Sequence, residues 1–311
     1  MKKPEYFITC PVCKRESPHD KLRDHASEEF GTTFEILECT GCGTRRTHPF
    51  LTDQQLNDYY TNEEIAGGGK YFKWQGKYRY IHDWIAKRVN VQGKRIVEVG
   101  SNAGNLLRYF KEYSHCDVTG IEFSTACIEY SENENGVPVF RGPLDQYRVS
   151  VKEKADLVVL VHVFEHITEP VSFLRDVHAV LNDDGSVYIE IPNARMIDYE
   201  LLGDIANPLC IPFHAYLYQM DSLTRILEQN GFEVVAKRYW SRKEDGGSIT
   251  GSIAHHYQNK IPAKFGDHIF SKVLAKTIKL IVRFYPNRFL IGYYFSKRNK
   301  STTIAYLCRK I

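Results

Sequence analysis

The 311-residue chain is predicted to be an α/β protein with a doubly wound, mostly parallel sheet, a small cysteine-anchored module at the N-terminus and a helical insertion before the last strand. Three observations carry this prediction. From residue 93 onward, short runs of Val, Ile and Leu alternate with helical patterns. Strands that are apolar on both faces and interleaved with helices belong to a parallel sheet covered on both sides. Two Cys-x-x-Cys pairs, Cys10 with Cys13 and Cys39 with Cys42, lie near the start with 25 residues between them. Finally, a late β-branched run, TTIAYLCRK, is cut off from the other strands by a basic, helix-patterned segment.

Residues 1–55 read as the module, with TTFEILEC as a strand ahead of its second cysteine pair. Residues 56–92 are a helical lead-in. A short helix and turn cover 53–66, GGGK at 67–70 is a joint, and an aromatic-rich helix follows with Tyr78, Ile81, Trp84, Ile85 and Val89 on one apolar stripe. Residues 93–240 hold the alternating unit. RIVEVG precedes a helix over 104–113, DVTGIEFS one over 124–135, ADLVVLVHV one over 170–181 and GSVYIEIPN one over 220–230. PVFRG is a short third strand and GFEVVAKRYW a further one. Residues 241–300 form the helical insertion, and 301–311 the final strand, expected to pair antiparallel at the sheet edge.

Composition is that of an ordinary globular protein, 43% hydrophobic and 25% charged. The start, MKKPEYFITC, lacks the apolar stretch of a signal peptide, and no uncharged run reaches the roughly 20 residues of a membrane span. A cytoplasmic location is expected, with thiols reduced. Four thiolates at knuckle spacing then suit a closed tetrahedral zinc site, and with no open coordination position that zinc is structural. The residues around the pairs mix both charges and give no basic stripe, so no nucleic-acid partner is expected.

The stretch VEVGSNAGNLL runs from a strand through a glycine loop into a helix. It fails the dinucleotide fingerprint, because Asn102 stands where the second glycine belongs, and no Gly-Lys-Ser/Thr follows to make a phosphate loop. What remains is an acid, Glu98, at the strand end, the turn residues Gly100, Asn102 and Gly104, and a second acid, Glu122, at the end of the next strand. A carboxylate there can accept both ribose hydroxyls, and acids around the loop disfavour a pyrophosphate. They suit a nucleoside carrying positive charge, S-adenosylmethionine.

At these residues the chain resembles class I S-adenosylmethionine-dependent methyltransferases, through VEVGSNAGNLL, GIEFS and ADLVVLVHVFEHITEPVSFLRDVHAVLNDDGSVYIEIPN. With the zinc module it is most similar to zinc-ribbon-bearing members of that family, which include sugar C-methyltransferases and enzymes encoded among surface-polysaccharide genes. The resemblance implies a Rossmann-like fold, a ribose held by Glu122, adenine lying against Phe123, and a small-molecule acceptor. The family's Gly-Asp after the third strand is Gly142-Pro143-Leu144-Asp145 here, which passes the adenine amino group to Asp145 or to the backbone of Leu144.

HVFEHI places His162, Glu165 and His166 past the fourth strand, where family members line the methionine end of the cofactor and the acceptor pocket. In the sugar C-methyltransferases a Tyr-His-Glu-His run ends nine residues before a helical Leu, and its last His is the base. Counting back from Leu223 reaches His214, with Phe213 and Ile211 in place of the Glu and the Tyr. The catalytic candidates are therefore His214, His166 and His162, with an imidazole of ordinary pKa near 6.5 taking a hydroxyl proton. The expected acceptor is a hydroxyl of a sugar or surface-glycan intermediate. C-methylation of a nucleotide-linked ketosugar is the alternative, and a zinc-dependent interaction protein with a vestigial fold is the alternative of another class.

Residues 260–300 carry ten basic residues against one acid, within a chain of net charge +3. In HIFSKVLAKTIKLIVRFY, Lys272, Lys276, Lys279 and Arg283 share one arc of a helical wheel, and Phe270, Leu274, Ile278 and Ile281 the opposite one. This amphipathic basic helix either docks on the domain with its charges in water, or makes a peripheral contact with an anionic membrane or cradles an acidic or lipid-linked substrate.

Overall fold

The computed structural model describes residues 6–61, 77–195, 210–240 and 302–311. The insertion expected over 241–300, with its basic helix, lies outside the described residues.

Two sheets organise these residues. The larger has seven strands: β5 (Arg95–Val99), β6 (Asp117–Glu122), β7 (Val139–Arg141), β8 (Ala155–Val161), β9 (Leu181–Pro192), β11 (Phe232–Trp240) and β12 (Thr303–Lys310). Their order across the sheet is β11-β12-β9-β8-β5-β6-β7. Pairing is parallel from β9 through β7 and antiparallel where β12 meets β9 and β11. The chain builds outward from β5 in both directions, so β5 and β8 flank the point where strand order reverses. Ligands of open α/β sheets bind outside the carboxyl ends of the strands at that point.

The helices α2 (Lys77–Ala86), α3 (Asn105–Ser114), α4 (Thr125–Asn133), α5 (Leu144–Ser150), α6 (Pro170–Val180) and α7 (Met220–Glu228) cover this sheet. A shorter helix, α1 (Asp53–Thr61), precedes them. On one face the apolar stripe of α2, with Tyr78, Ile81, Trp84 and Ile85, packs with Leu106, Leu107 and Phe110 of α3 and with Tyr188 and Leu307 of the strands. On the other face Val97, Val158, Ile189 and Tyr306 pack with Leu174 and Val177 of α6 and Leu223 and Ile226 of α7. The predicted stripe and four predicted helices are thus present; α5 was not anticipated.

The final strand departs from expectation. It does pair antiparallel, but it lies inside the sheet between β9 and β11 rather than at the edge. Thr303 to Cys308 are all buried, whereas β11 alternates exposed and partly covered positions. A strand apolar on both faces loses less by taking the interior place, and the one-sided strand takes the edge.

The smaller sheet holds β1 (Tyr6–Cys10), β2 (Arg15–Ser27), β3 (Thr32–Cys39) and β4 (Arg45–His48), all antiparallel neighbours. Its fifth strand, β10 (Tyr216–Leu217), comes from the other end of the chain and pairs with β4. Cys10, Val12 and Cys39 belong to the same hydrophobic cluster as Tyr216, Tyr218 and Leu223, so the core runs on from one sheet into the other.

Gly104 opens α3 in the left-handed region, at φ 71°. A Cβ built there would collide with Ser131 Oγ and come within 3.3 Å of Val137. Gly104→Ala is therefore expected to lose about 1–3 kcal/mol of stability, the usual scale of local backbone strain, as measured by chemical denaturation. A loss below about 0.5 kcal/mol, the range of an ordinary surface substitution, would show that this turn is not constrained as described.

Candidate active site

The four module cysteines converge. Cys10 Sγ lies 3.6 Å from Cys42 Sγ, and Cys13 Sγ lies 3.7 Å from Cys39 Sγ. Four sulfurs bound to one tetrahedral zinc at about 2.3 Å would stand about 3.8 Å apart, so the donor set fits that ion. A disulfide, with sulfurs at about 2.05 Å, is excluded. Crowding raises the thiol of Cys13 to about 11 through burial and its cysteine neighbours. Hydrogen bonding from Cys10 lowers Cys42 to about 5.

At the switch point, Glu98 ends β5 almost fully buried, and the chain then turns through Gly100 at φ 67°, Asn102 at φ 48° and Gly104. Glu122 ties this loop to the end of β6. Its Oε2 accepts from the backbone N–H of Asn102 at 2.9 Å, and its Oε1 accepts from those of Phe123 at 2.8 Å and Ser124 at 3.1 Å. A carboxylate has about four acceptor positions, and three are taken here, so one remains on Oε2 for a further hydroxyl. Phe123 is exposed beside it, as a surface for a flat ring requires. The buried side chain of Leu144 packs in the core, leaving its backbone as the part that could meet a ligand, while Asp145, in the first turn of its helix, accepts from the N–H of Gln146 at 2.9 Å. The predicted cofactor residues Glu98, Gly100, Asn102, Gly104, Glu122 and Phe123 are brought to one mouth of the sheet, an acidic cradle suited to a cationic nucleoside.

Just past β8 the second half of the site begins. His162 stands in the left-handed region, at φ 57°, with its N–H donated to the carbonyl of Glu190 at 2.8 Å. Its Nδ1 lies 3.2 Å from Glu165 Oε1 and its Nε2 3.7 Å from Glu190 Oε1. Glu165 and Glu190 are both buried, and the Tyr188 hydroxyl donates to Glu190 Oε2 at 2.6 Å. His214 approaches from the segment before α7, with its Nε2 4.0 Å from Glu165 Oε1 and its ring centre 4.7 Å from that of His166. His166 Nδ1 lies 3.0 Å from the carbonyl of Phe213, which acts as acceptor. All three predicted histidines therefore meet around one buried carboxylate. Ligand atoms of Glu165, His166 and His214 also lie within 4.8 Å of one another, a spacing that a divalent ion could draw together.

Electrostatics sort these groups. Burial, opposed by the carboxylate and reinforced by the other histidines, pushes His214 down to about 3. Burial also lowers His166. Glu165 lies below the ordinary carboxylate value because the surrounding imidazoles outweigh its own desolvation. His214 is thus a neutral imidazole at every working pH, which corrects the expectation of an ordinary pKa near 6.5: only 4% of its surface reaches solvent. Glu190 and Tyr188 escaped the sequence reading. The available signal was a carboxylate in the middle of GSVYIEIPN, a strand otherwise apolar on both faces.

A seven-stranded, doubly wound sheet with two acids and a glycine turn at one mouth, beside a buried acid–imidazole cluster, is a Rossmann-like arrangement. The chain belongs to the methyltransferase domain family, whose model matches residues 73–237, just over half of its length. It is similar to the ubiquinone biosynthesis O-methyltransferase of Pseudomonas syringae pv. tomato, 25% identical over 131 residues, covering 38% of this chain and 56% of that one. The corresponding protein of Actinobacillus pleuropneumoniae is 24% identical, covering 41% and 61%. The chain therefore spans just over half the length of these curated relatives. Among solved structures, magnesium protoporphyrin IX methyltransferase from Synechocystis with bound SAH aligns at a TM-score of 0.53 and 12% identity, over 84% of this chain and 100% of that one. A SAM-dependent methyltransferase from Archaeoglobus fulgidus aligns at 0.50 and 18%, over 83% and 100%. At such identities these structures speak for the fold.

The pKa shifts set a pH dependence of stability. With His214 lowered in the folded protein, the unfolded chain binds a proton near pH 6.5 that the native state refuses. Stability should therefore fall as pH drops from 6.5 toward 3, by roughly 3 kcal/mol at pH 4 from this one residue. His214→Asn should flatten that slope in urea titrations between pH 7 and pH 4. An unchanged slope would mean that His214 is not held neutral by burial.

Proposed function

We propose that the chain transfers the methyl group of S-adenosylmethionine to a hydroxyl of a small acceptor, a sugar or surface-glycan intermediate. The observation that carries this reading is the meeting of His162, His166 and His214 around Glu165 at the same sheet mouth as the Glu98–Glu122 cradle. Glu122 is assigned to the ribose hydroxyls, Phe123 to the adenine face, and the loop Gly100–Asn102–Gly104 to the backbone wall around the nucleoside. The cofactor, when bound, supplies an electrophilic methyl group on a sulfonium.

The chain's own residues supply alignment and a place for the proton. His214 accepts the acceptor's hydroxyl proton at an imidazole that is already neutral, and Glu165, 4.0 Å from its Nε2, stabilises the imidazolium that results. The carboxylate that the sugar C-methyltransferase motif would place next to this histidine is Phe213 here; Glu165, from a different element, takes over that part. His162, about one-third exposed and held between Glu165 and Glu190, faces the cofactor side. The O-methyltransferase names of the curated relatives favour an oxygen acceptor over carbon. The four cysteines are assigned one structural zinc ion.

Glu122→Ala is expected to weaken S-adenosylmethionine binding by about 1.5–3 kcal/mol, the scale of hydrogen bonds to a charged group, in calorimetric titration. Undiminished affinity would remove the ribose assignment. His214→Asn should keep cofactor affinity and slow turnover by about 10²–10⁴, and the normal enzyme should show a flat rate from about pH 5 to 8 because its base never protonates there. A rate that falls through pH 6–7 and survives His214→Asn would transfer the role to the more exposed His162. For the metal, elemental analysis should find one zinc per chain, and Cys39→Ser should lower thermal stability. Metal-free protein with unchanged melting in chelator would refute it.

A further inference from the structure

We infer that the cysteine-rich module is the frame of the acceptor side of the site, with Thr47 as the positioning residue for His214. The inference rests on the reading that His214 serves the acceptor. His214 Nδ1 is buried and, among the described residues, has no hydrogen-bond partner. Its Nε2 stands 4.0 Å from Glu165, beyond hydrogen-bonding distance. Among the described residues no side-chain hydrogen bond to Nδ1 fixes this ring, and its backbone is what the structure shows held.

That backbone is held by the module. Thr47, fully buried on β4, donates its hydroxyl to the His214 carbonyl at 2.7 Å and its N–H to the Ala215 carbonyl at 3.0 Å. The β4–β10 ladder continues the connection, pairing Arg46 with Tyr216 and Arg45 with Leu217. A second tie leaves the cysteine knuckle directly: Gln219 Nε2 donates to the carbonyl of Gly43, the residue after Cys42, at 2.9 Å. Gly43 sits at φ +70°, and a Cβ there would come within 3.0 Å of that amide nitrogen, so the position is shaped for the contact. The knuckle is closed on itself by the Gly43 N–H to the Cys39 carbonyl and the Cys39 N–H to the Thr44 carbonyl. Between the two sheets, Tyr218 stacks on Phe164 at 5.3 Å and lies within electrostatic reach of Cys10, Cys42 and Glu165 together.

The segment 212–219 thus belongs to both units. Phe213 contributes its carbonyl to His166 on the methyltransferase side, and its ring packs at 5.8 Å from Phe30 and 3.8 Å from Tyr59 on the other. A module that only stabilised the chain would not need to share a strand, a buried hydroxyl and an aromatic contact with the stretch that carries His214.

Hydrogen–deuterium exchange tests this without an acceptor. In the wild-type protein, amides of β4 and of 212–219 should open together, as one cooperative unit, at a rate distinct from that of β5 and β8. Thr47→Val, which keeps shape and removes the hydroxyl, should raise exchange in 212–219 at least tenfold while S-adenosylmethionine affinity stays within twofold. Thr47→Ser should restore protection. Once an acceptor is known, Thr47→Val should lower kcat without changing the KM for S-adenosylmethionine. Exchange in 212–219 that follows β8 and β9 in the wild type would overturn the inference, as would Thr47→Val exchange that rises equally across residues 95–122. If exchange behaves as expected but His214→Asn keeps full turnover, the frame stands and the assignment of His214 as base is what fails.

Discussion

A buried carboxylate is costly unless its surroundings answer its charge, and Glu165 sits at the centre of that constraint. It is 1% exposed and lies on the short turn Phe164–His166 that follows β8. Three histidines from two stretches of chain gather around it, one of them forced into left-handed backbone geometry. The arrangement makes sense as an electrostatic pairing held ready. The carboxylate keeps its charge because imidazoles surround it, and His214 stays uncharged because burial outweighs the carboxylate's pull. Proton acceptance at His214 must work against that burial, and Glu165, 4.0 Å from its Nε2, offsets part of the cost.

The geometry needs two units of the chain. The parallel sheet delivers Glu98, Glu122 and His162 by ending β5, β6 and β8 at one mouth, as their parallel pairing dictates. It cannot deliver His214, which lies on an irregular stretch between β9 and α7. That stretch is stabilised by joining the other sheet as its fifth strand. The shared cluster of Cys10, Val12, Cys39, Tyr216 and Tyr218 makes the joint a packed core and not a surface contact.

Much of this was legible in the sequence. Continuous apolar strands between amphipathic helices specify a two-sided parallel sheet, and the glycine loop after an acid marks its ligand end. His214 was singled out through the resemblance to the sugar C-methyltransferase motif ahead of a helical leucine. Four features were not readable, the first three because a long-range contact decides them. The last strand's place inside the sheet depends on how well β9 buries it compared with β11. Tyr216–Leu217 is too short to register as a strand and gains its pairing only from β4. His214 reads as an ordinary histidine until burial and two neighbouring imidazoles move its pKa down to about 3. Glu190 hid within an apolar strand, where its partner Tyr188 sits two residues away on the same face.

The central claim is that this mouth moves a methyl group onto oxygen. The most direct test incubates the full chain with S-adenosylmethionine carrying an isotopically labelled methyl group and a panel of nucleotide sugars, glycan fragments and phenols. Mass spectrometry and NMR then locate the label. The account predicts a labelled methyl ether on one acceptor class, formed with equimolar consumption of the cofactor. Label on a carbon atom would contradict it, as would a protein that binds no S-adenosylmethionine.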